Sequence, residues 1–447
     1  MKRFVCLVLL TISCATAQDH DPDRLPMLPE LRDISVGLGE PLPTGFLGVG
    51  ARAVGMGGAQ IAGVADGTAL YWNPGALTRV KRLEISASIG HLSPQHRASV
   101  SGGPEIAASQ SWTSLNSLAI TIPYPVYRGG LSIALGVFRP QDFGYRTEQS
   151  GTTSAGGRTW SMNDDIRQEG GMRTWSMGLA FEASGQVAVG FALNWHHGNT
   201  DVRRSLILLE QGSVVPDSFA GSYAQKTDIT GFSISYGTTV RLPLGISLGA
   251  KVVPPTTYTH KGTWGDEYVE AVGPNIYDYD KITSDLKYKL KTPWQFGVGA
   301  AWNTFALTVE ADVWYVDWTQ ARYEDTGRYP PFAPSSGIDI GQFFEDRYES
   351  SVRGHFGVEF LVPRIDTYIR AGYTRNADPF KGPALDSGFS VDYEGKGNFF
   401  SVGVGRMFGG TMQIDAAYVR GGDTYSSGGL IDDRITNTLL VSVAYRL

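Results

Sequence analysis

The sequence has 447 residues and a net charge of −6 at pH 7, and 56 of its residues are glycine while only 18% are charged. Together with 11% aromatic residues, this composition is typical of a glycine- and aromatic-rich β protein and argues against a helical enzyme. The acidic balance also argues against a nucleic-acid partner.

Residues 1–17 have the pattern of a secretory signal. Lys2 and Arg3 supply the positive charge, an apolar stretch too short to span a bilayer follows, and the small residues Ala-Thr-Ala complete a cleavage site. We therefore expect the mature chain to begin at Gln18. Loss of Lys2 and Arg3 changes the net charge from −6 to −8.

Both cysteines of the chain, Cys6 and Cys14, lie inside this segment, so we expect neither a disulfide framework nor a thiolate metal site in the mature protein. An uncleaved anchor and a lipoprotein signal ending at Cys14 are the alternatives. No apolar run of about 18 residues follows the signal. The product is therefore expected either to be exported and soluble or to cross a membrane as a closed barrel.

A segment dominated by glycine and alanine spans residues 45–77. It follows a polar, proline-rich stretch at 18–44, which we interpret as an extended lead-in. Small residues cannot build a core of their own, but they allow the backbone to approach other backbone closely. The segment ends with Asn73 and Pro74, an N-cap residue followed by proline at the first helical position. We therefore expect short helical turns and tight loops packed inside a larger structure.

From residue 83 onward, apolar and polar residues alternate in segments of about ten residues, which predicts β-strands. In one such segment Trp175, Met177, Leu179 and Phe181 share a face. Fourteen strands are expected, centred near residues 87, 120, 134, 178, 191, 234, 249, 297, 311, 356, 370, 402, 415 and 441.

Three features favour a membrane barrel over a soluble β-sandwich, which also alternates. Phe305 and Tyr315 place aromatic residues at both ends of one apolar face, roughly 23 Å apart along the membrane normal. Tight connections alternate with long ones, and the chain ends on a strand. The long connections are expected to be loops at 139–170, 199–226, 255–289 and 319–350.

These patterns predict an all-β protein: a transmembrane antiparallel β-barrel of about 14 strands, with a mainly helical and coil N-terminal hatch that plugs the lumen. The expected division is a signal peptide at 1–17, an N-terminal extension and hatch at 18–80, and the barrel at 81–447. A barrel of this width has a lumen that side chains alone do not fill, which is why a plug is expected.

The chain resembles the FadL-type outer-membrane transporters of long-chain fatty acids and aromatic hydrocarbons. The resemblance rests on Gly-Ala-Arg-Ala at 50–53, Gly-Met-Gly-Gly-Ala at 55–59, Tyr-Trp-Asn-Pro-Gly at 71–75, and Thr-Pro-Trp-Gln-Phe-Gly-Val-Gly at 292–299, which leads to Asp312. The family has Asn-Pro-Ala where this chain has Asn-Pro-Gly. PorV-type barrels, which serve protein secretion, share a similar small-residue and Tyr-Trp-Asn-Pro signature.

The resemblance implies passive uptake of hydrophobic small molecules through a plugged barrel in the outer membrane of a Gram-negative type cell. Ligand would be captured at the outer loops and would leave through the wall or past the hatch. The candidate hatch or gate residues are Gly55, Gly57, Gly58, Asn73, Pro74 and Gly75. The candidate capture residues in the loops are Leu206, Leu208, Phe219 and Phe332.

The expected partners are a hydrophobic small-molecule ligand, outer-membrane lipid and the barrel-assembly machinery, with no nucleic acid. The alternative is a PorV-type barrel that serves protein secretion or surface attachment. A continuous apolar tunnel would favour transport, whereas a polar, filled lumen below an apolar outer platform would favour a protein partner.

Two enzyme-like signals are weak, and we predict no enzyme, cofactor or metal site. Residues 245–249 match Gly-x-Ser-x-Gly, but they lie on an alternating strand rather than at a strand-to-helix turn. His196 and His197 are neighbours on a strand, so they face opposite ways and cannot share an ion.

Overall fold

A computed structural model describes residues 48–100, 106–127, 129–155, 158–272, 275–328, 344–345, 348–376, 379–380, 397–427 and 430–447. The predicted signal peptide, the whole lead-in at 18–44 and Phe332 lie outside these residues. Within them, no α-helix is both long and apolar enough to cross a bilayer.

The N-terminal part of the described chain consists of short helices and coil. It contains α1 (Ala51–Gly55), α2 (Ala69–Trp72) and a 3₁₀ helix (Pro74–Arg79). We call residues 48–80 the plug. Nearly all of its side chains are buried, although none of its helices is longer than two turns.

All remaining regular structure in the described part, apart from short 3₁₀ turns and one helical turn, is antiparallel β-sheet. The strands are β1 (Glu84–Val100), β2 (Ile106–Ser109), β3 (Trp112–Tyr124), β4 (Leu131–Asp142), β5 (Tyr145–Ala155), β6 (Arg158–Glu182), β7 (Val187–Gln211), β8 (Ser218–Arg241), β9 (Ile246–Val253), β10 (Thr257–Val272), β11 (Asn275–Lys291), β12 (Gln295–Asn303), β13 (Leu307–Asp317), β14 (Arg322–Arg328), β15 (Ser350–Val362), β16 (Thr367–Asn376), β17 (Asn398–Phe408), β18 (Met412–Ser427) and β19 (Leu430–Arg446).

Fourteen of these strands close a barrel. The ring runs β1, β3, β4, β6, β7, β8, β9, β12, β13, β15, β16, β17, β18 and β19, and β19 pairs back onto β1. Each of the fourteen predicted centres falls on one of these strands, so the predicted strand count is confirmed. Closure leaves no unpaired edge around the ring, which a strand wall in lipid requires.

The wall is apolar outside and small or polar inside. On β6, Trp175, Met177 and Phe181 are exposed, whereas Ser176 and Ala180 between them are buried. The last strand repeats the pattern, with alternate apolar residues from Leu439 to Tyr445 exposed. This is the reverse of a soluble sandwich and is what a lipid-facing barrel presents.

Three of the four predicted long loops, at 139–170, 199–226 and 255–289, are largely strand, so those loop assignments were wrong. Most of the fourth, 319–350, lies outside the described residues. Strands β6, β7 and β8 have 25, 25 and 24 residues, and β5, β10, β11 and β14 continue the same sheet beyond the ring. A strand of that length reaches about 80 Å, roughly three times an apolar band, before tilt is considered. The sequence signal was missed because, beyond the ring, the outward residues are mostly polar while the buried inward residues are both apolar and polar. Apolar and polar residues therefore do not alternate regularly along these parts of the sequence.

Three neighbouring ring strands are interrupted at one height. Two prolines at 254–255 separate β9 from β10, residues 292–294 separate β12 from β11, and a 3₁₀ turn (Trp318–Gln320) separates β13 from β14. Proline lacks a backbone N–H and cannot donate to a ladder. The ring below this height and the taller sheet above it are therefore joined through irregular backbone.

Candidate functional site: plug anchors and the cavity above them

Glycines of the plug lie directly against the backbone of the wall strands. Gly57 has a φ of 64°, and a Cβ at this position would lie 2.7 Å from the backbone nitrogen of Tyr373. A Cβ on Gly75 would lie 2.8 Å from the carbonyl oxygen of Gly237. Any larger residue at either position would push the plug off the wall.

The other two candidate hatch glycines lie in the same stretch. Gly55 faces Gly403 of β17, where a Cβ would stand 3.2 Å from the Cα of that wall glycine. Gly58 follows α1 with a φ of 74°, and its N–H donates to the Ala53 carbonyl. These two glycines therefore let α1 lie close to the wall and then turn away from it.

Asn73 and Pro74 form a buried anchor. The Asn73 amide nitrogen donates to the Ile61 carbonyl at 2.6 Å and to the Thr238 carbonyl of β8 at 3.0 Å. Its side-chain oxygen accepts from Gly75 N–H at 3.0 Å, so the predicted N-cap is present. The candidate gate residues therefore tie the plug to the wall; whether they also move as a gate stays a prediction.

Two buried carboxylates of β13 hold the middle of the plug. Asp312 accepts from the backbone N–H of Ile61 at 2.8 Å, and Glu310 accepts from that of Ala62 at 2.9 Å. Gln60 and Gly63 N–H groups donate to the same two side chains. Charge-assisted bonds of this kind are about twice as strong as neutral ones, so β13 provides a strong anchor.

An ion-pair network joins α1 to three further strands. The Arg52 guanidinium binds both oxygens of Glu359 at 3.0 Å. Arg370 donates to Glu359 at 2.6 Å and to Asp415 at 2.7 Å. Because the network is nearly or completely buried, removing one member would leave an unpaired charge inside the barrel.

Short turns, such as 183–186 between β6 and β7 and 363–366 between β15 and β16, connect the ring strands at one end of the barrel. A cavity of about 140 Å³ lies on the plug, on the side away from these short turns. Tyr71 and Trp72 of α2 form its floor, and Met172, Val253, Tyr258 and Trp314 contribute aromatic and apolar walls. These wall residues lie both below and above the height at which β9, β12 and β13 are interrupted.

Two cations face this cavity without a carboxylate. Lys251 Nζ donates to the Tyr71 carbonyl and lies 5.0 Å from the Tyr71 ring centroid and 5.6 Å from that of Trp314. Arg353 also lies over Trp314, with its guanidinium carbon 6.0 Å from the ring centroid. Within the described part of the chain, neither residue forms an ion pair. The site is therefore an aromatic box with an excess of positive charge.

The opposite side of the cavity is polar. His196 bonds to Thr174 at 2.9 Å through Nδ1 and to Ser233 at 2.8 Å through Nε2. His197 points outward and is exposed, so the predicted opposite orientation of the two histidines is confirmed. The described residues contain no group of three or more His, Cys, Asp or Glu side chains arranged to hold a metal ion.

The candidate capture residues lie elsewhere. Leu206 and Leu208 are on β7 and Phe219 is on β8, all buried and facing the interior of the tall sheet rather than lying in loops. Phe219 stacks on Tyr268 at 6.0 Å between centroids. The structure does not bring them to the cavity on the plug, and their role as capture residues stays a prediction.

A family model for BamG matches residues 51–356, which is more than half of the chain. The chain belongs to the BamG family. No curated protein matches this BamG-family chain.

Solved structures with the same fold are FadL-type barrels. The Pseudomonas putida toluene transporter TodX is 15% identical with a TM-score of 0.61, and the match covers 90% of this chain and 98% of that one. A Pseudomonas aeruginosa FadL homologue gives 14% identity and a TM-score of 0.62, over 89% and 98%. The Ralstonia pickettii toluene transporter TbuX gives 14% and 0.56, over 90% and 98%. The expected FadL-type architecture is therefore confirmed for this BamG-family barrel.

Sequence reasoning missed most of the residues that form the site. Asp312 was noted only as part of the family resemblance, and Glu310, Lys251 and Arg370 were not singled out. A usable signal existed: charged residues at inward positions of lipid-spanning strands are costly unless they are paired or functional. The inward glycines of the wall, such as Gly237 and Gly249, were a second signal, because the plug backbone passes directly over both.

Proposed function

We propose that this protein is an outer-membrane channel for passive passage of an amphipathic molecule with an apolar body and an anionic head, such as a long-chain fatty acid. The observation that carries the proposal is the pair Lys251 and Arg353, which have no carboxylate partner in a cavity walled by aromatic rings.

The location in an outer membrane is supported by the outer surface of the ring. Large apolar side chains stand exposed at alternate positions on strand after strand, which is unfavourable in water over such an area. A bilayer would cover this belt, with lipid as its first partner.

The driving force is desolvation. An apolar chain that leaves water for an apolar surface gains about 0.8 kcal/mol per CH₂ group. The head group would exchange its water for Lys251, Arg353 and the hydroxyl and imidazole groups of the polar side. No step of this passage requires a covalent bond, and no catalytic residue is proposed.

Binding of oleate and of oleyl alcohol to the purified full chain in neutral detergent tests the proposal. We expect the Lys251→Gln, Arg353→Gln double variant to bind oleate at least about tenfold more weakly, because the carboxylate loses both cations. Binding of the neutral alcohol is expected to be unchanged.

Lys261→Gln and Arg173→Gln provide the matched control, since both residues are exposed on strands of the same sheet. Equal affinity of the double variant and the wild type for oleate would overturn the proposal. So would a parallel loss for oleate and oleyl alcohol, because it would show that the cavity has collapsed rather than lost its charge.

A second candidate is a role beside the barrel-assembly machinery or a secretion partner, as for PorV-type barrels. Membership of the BamG family and the tall sheet above the ring favour it. Mild-detergent purification with cross-linking tests it: stoichiometric recovery of the central assembly barrel would support this role, and recovery of the chain alone would count against it.

A further inference from the structure

A second cavity, of about 400 Å³, opens at the other end of the barrel, between the plug and the short turns. We call it the inner cavity. Its position differs from that of the aromatic box, because the plug lies between them. Its lining includes the cations Arg52, Arg79, Lys81, Arg82 and Arg446.

Positive charge dominates this lining. Only two carboxylates, Asp66 and Glu359, contribute to it. Glu359 is already bound by Arg52 and Arg370. Lys81 pairs with Glu182 at 3.0 Å, and Arg446 pairs with Glu84 at 2.7 Å. Arg79 and Arg82 therefore face Asp66 alone among the carboxylates of the described lining, and the cavity keeps a small excess of positive charge.

Arg79 forms no ion pair among the described residues, although it lines the cavity. Its Nη1 donates to the Ala62 carbonyl at 2.6 Å, which fixes the side chain against the plug. Its Nη2 is buried and has no hydrogen-bond partner. A buried guanidinium donor without an acceptor is unfavourable, and an oxyanion in the cavity would satisfy it.

Arg82 lines the same cavity and is exposed. Among the described residues it has no ion pair; its Nη1 donates to the Gly410 carbonyl at 3.3 Å, in the turn between β17 and β18. The carbonyl contacts position both guanidinium groups, so little side-chain freedom would be lost when an anion binds. A guanidinium fork matches the geometry of phosphate and carboxylate oxygens.

We propose that the inner cavity is an anion-binding site that takes a phosphate or carboxylate group from the side of the short turns, with Arg79 and Arg82 as the recognising residues. The proposal is independent of passage through the aromatic box. The same oxyanion chemistry can come from a free anion or from a lipid head group.

Calorimetric titration of the purified full chain with inorganic phosphate and with glycerol 3-phosphate tests this site. We expect one site per chain for phosphate and at least about tenfold weaker binding in Arg79→Gln, because the amide keeps a donor to the Ala62 carbonyl but loses the charge. Tighter binding of glycerol 3-phosphate than of phosphate would identify a head group as the source, and equal binding would identify the free anion.

Arg406→Gln is the matched control, because Arg406 lies near the same end of the barrel on the exposed face. Lys251→Gln is expected to leave phosphate binding unchanged, which separates this site from the proposed function. Heat-modifiable migration in gels checks folding, and Arg82→Gln, at the more exposed position, provides a second variant if Arg79→Gln does not fold. Absence of phosphate and glycerol 3-phosphate binding, or equal loss in Arg406→Gln and Arg79→Gln, would overturn the proposal.

Discussion

Single residues determine how the plug is held. Gly57 turns with a positive φ directly against β15 and β16, and the carboxylates of Glu310 and Asp312 accept four backbone N–H groups of the plug. The first contact depends on the absence of a side chain, and the second depends on buried charge. Both are local requirements that one substitution can test.

Replacement of Gly57 by valine is expected to destabilise the folded barrel by more than about 2 kcal/mol, because a β-branched residue at positive φ is strained and its Cβ would meet wall backbone. The midpoint of urea unfolding in detergent measures the change. Gly354→Val is the control, since a Cβ there meets no atom within 4 Å. Equal midpoints for the two variants would contradict this account of the contact.

Removal of both β13 carboxylates, as Glu310→Ala with Asp312→Ala, is expected to loosen the plug without unfolding the ring. Each lost charge-assisted bond contributes about 1.5–3 kcal/mol to holding the plug in place. Single-channel conductance in planar bilayers is expected to rise about tenfold or more, since each 1.4 kcal/mol shifts the plug equilibrium tenfold. Glu267→Ala with Asp280→Ala, at exposed positions of the tall sheet, is the control; an unchanged current in the β13 variant would show that other anchors suffice.

At the scale of elements, the strands divide into a lipid-facing part and a taller part. The same strand β7 presents Phe191 and Trp195 outward in its lower half and Asn199, Arg203 and Ser205 in its upper half. Ile207 and Leu209 near the end of the strand are again apolar and exposed, so the polar residues form a band on the outer surface. With the proposed membrane location, the bilayer would end at the lower edge of this band. The inward side remains buried throughout, because the plug fills the lower part and the packed sheet residues fill the upper part.

Val441 lies on the outward face of β19, in the middle of the apolar belt. Its replacement by lysine is expected to destabilise the barrel in a bilayer by about 2–4 kcal/mol, the cost of a charge near the midplane. Ser205→Lys on the upper, outward face of β7 is expected to change stability by less than about 0.5 kcal/mol. Urea titration in liposomes measures both, and similar values for the two would mean that the belt is not in lipid.

At the scale of the whole molecule, the described residues form a barrel closed at one level by the plug, with a cavity on each side of the closure. The aromatic box combines aromatic rings with two cations, and the inner cavity is polar and cationic. Neither cavity belongs to one element: the aromatic box is shared by the plug and at least seven strands, and the inner cavity by the plug, the residues that follow it and strands β15 to β19. Closure of the ring therefore creates both sites.

The sequence alone determined the number of ring strands, their outward faces and the presence of a small-residue plug, because each of these follows from a local pattern: period-two alternation, or glycine and alanine in a row. Only the tertiary structure decided that Lys251 of β9 and Arg353 of β15 share one cavity, that Arg79 faces another, and that three of the four predicted loops are strands. Those facts depend on strand register, on the radial position of each side chain and on the height of the plug. All three are fixed when the ring closes and pairs residues that are distant in sequence. A local sequence pattern carries no information about such pairs.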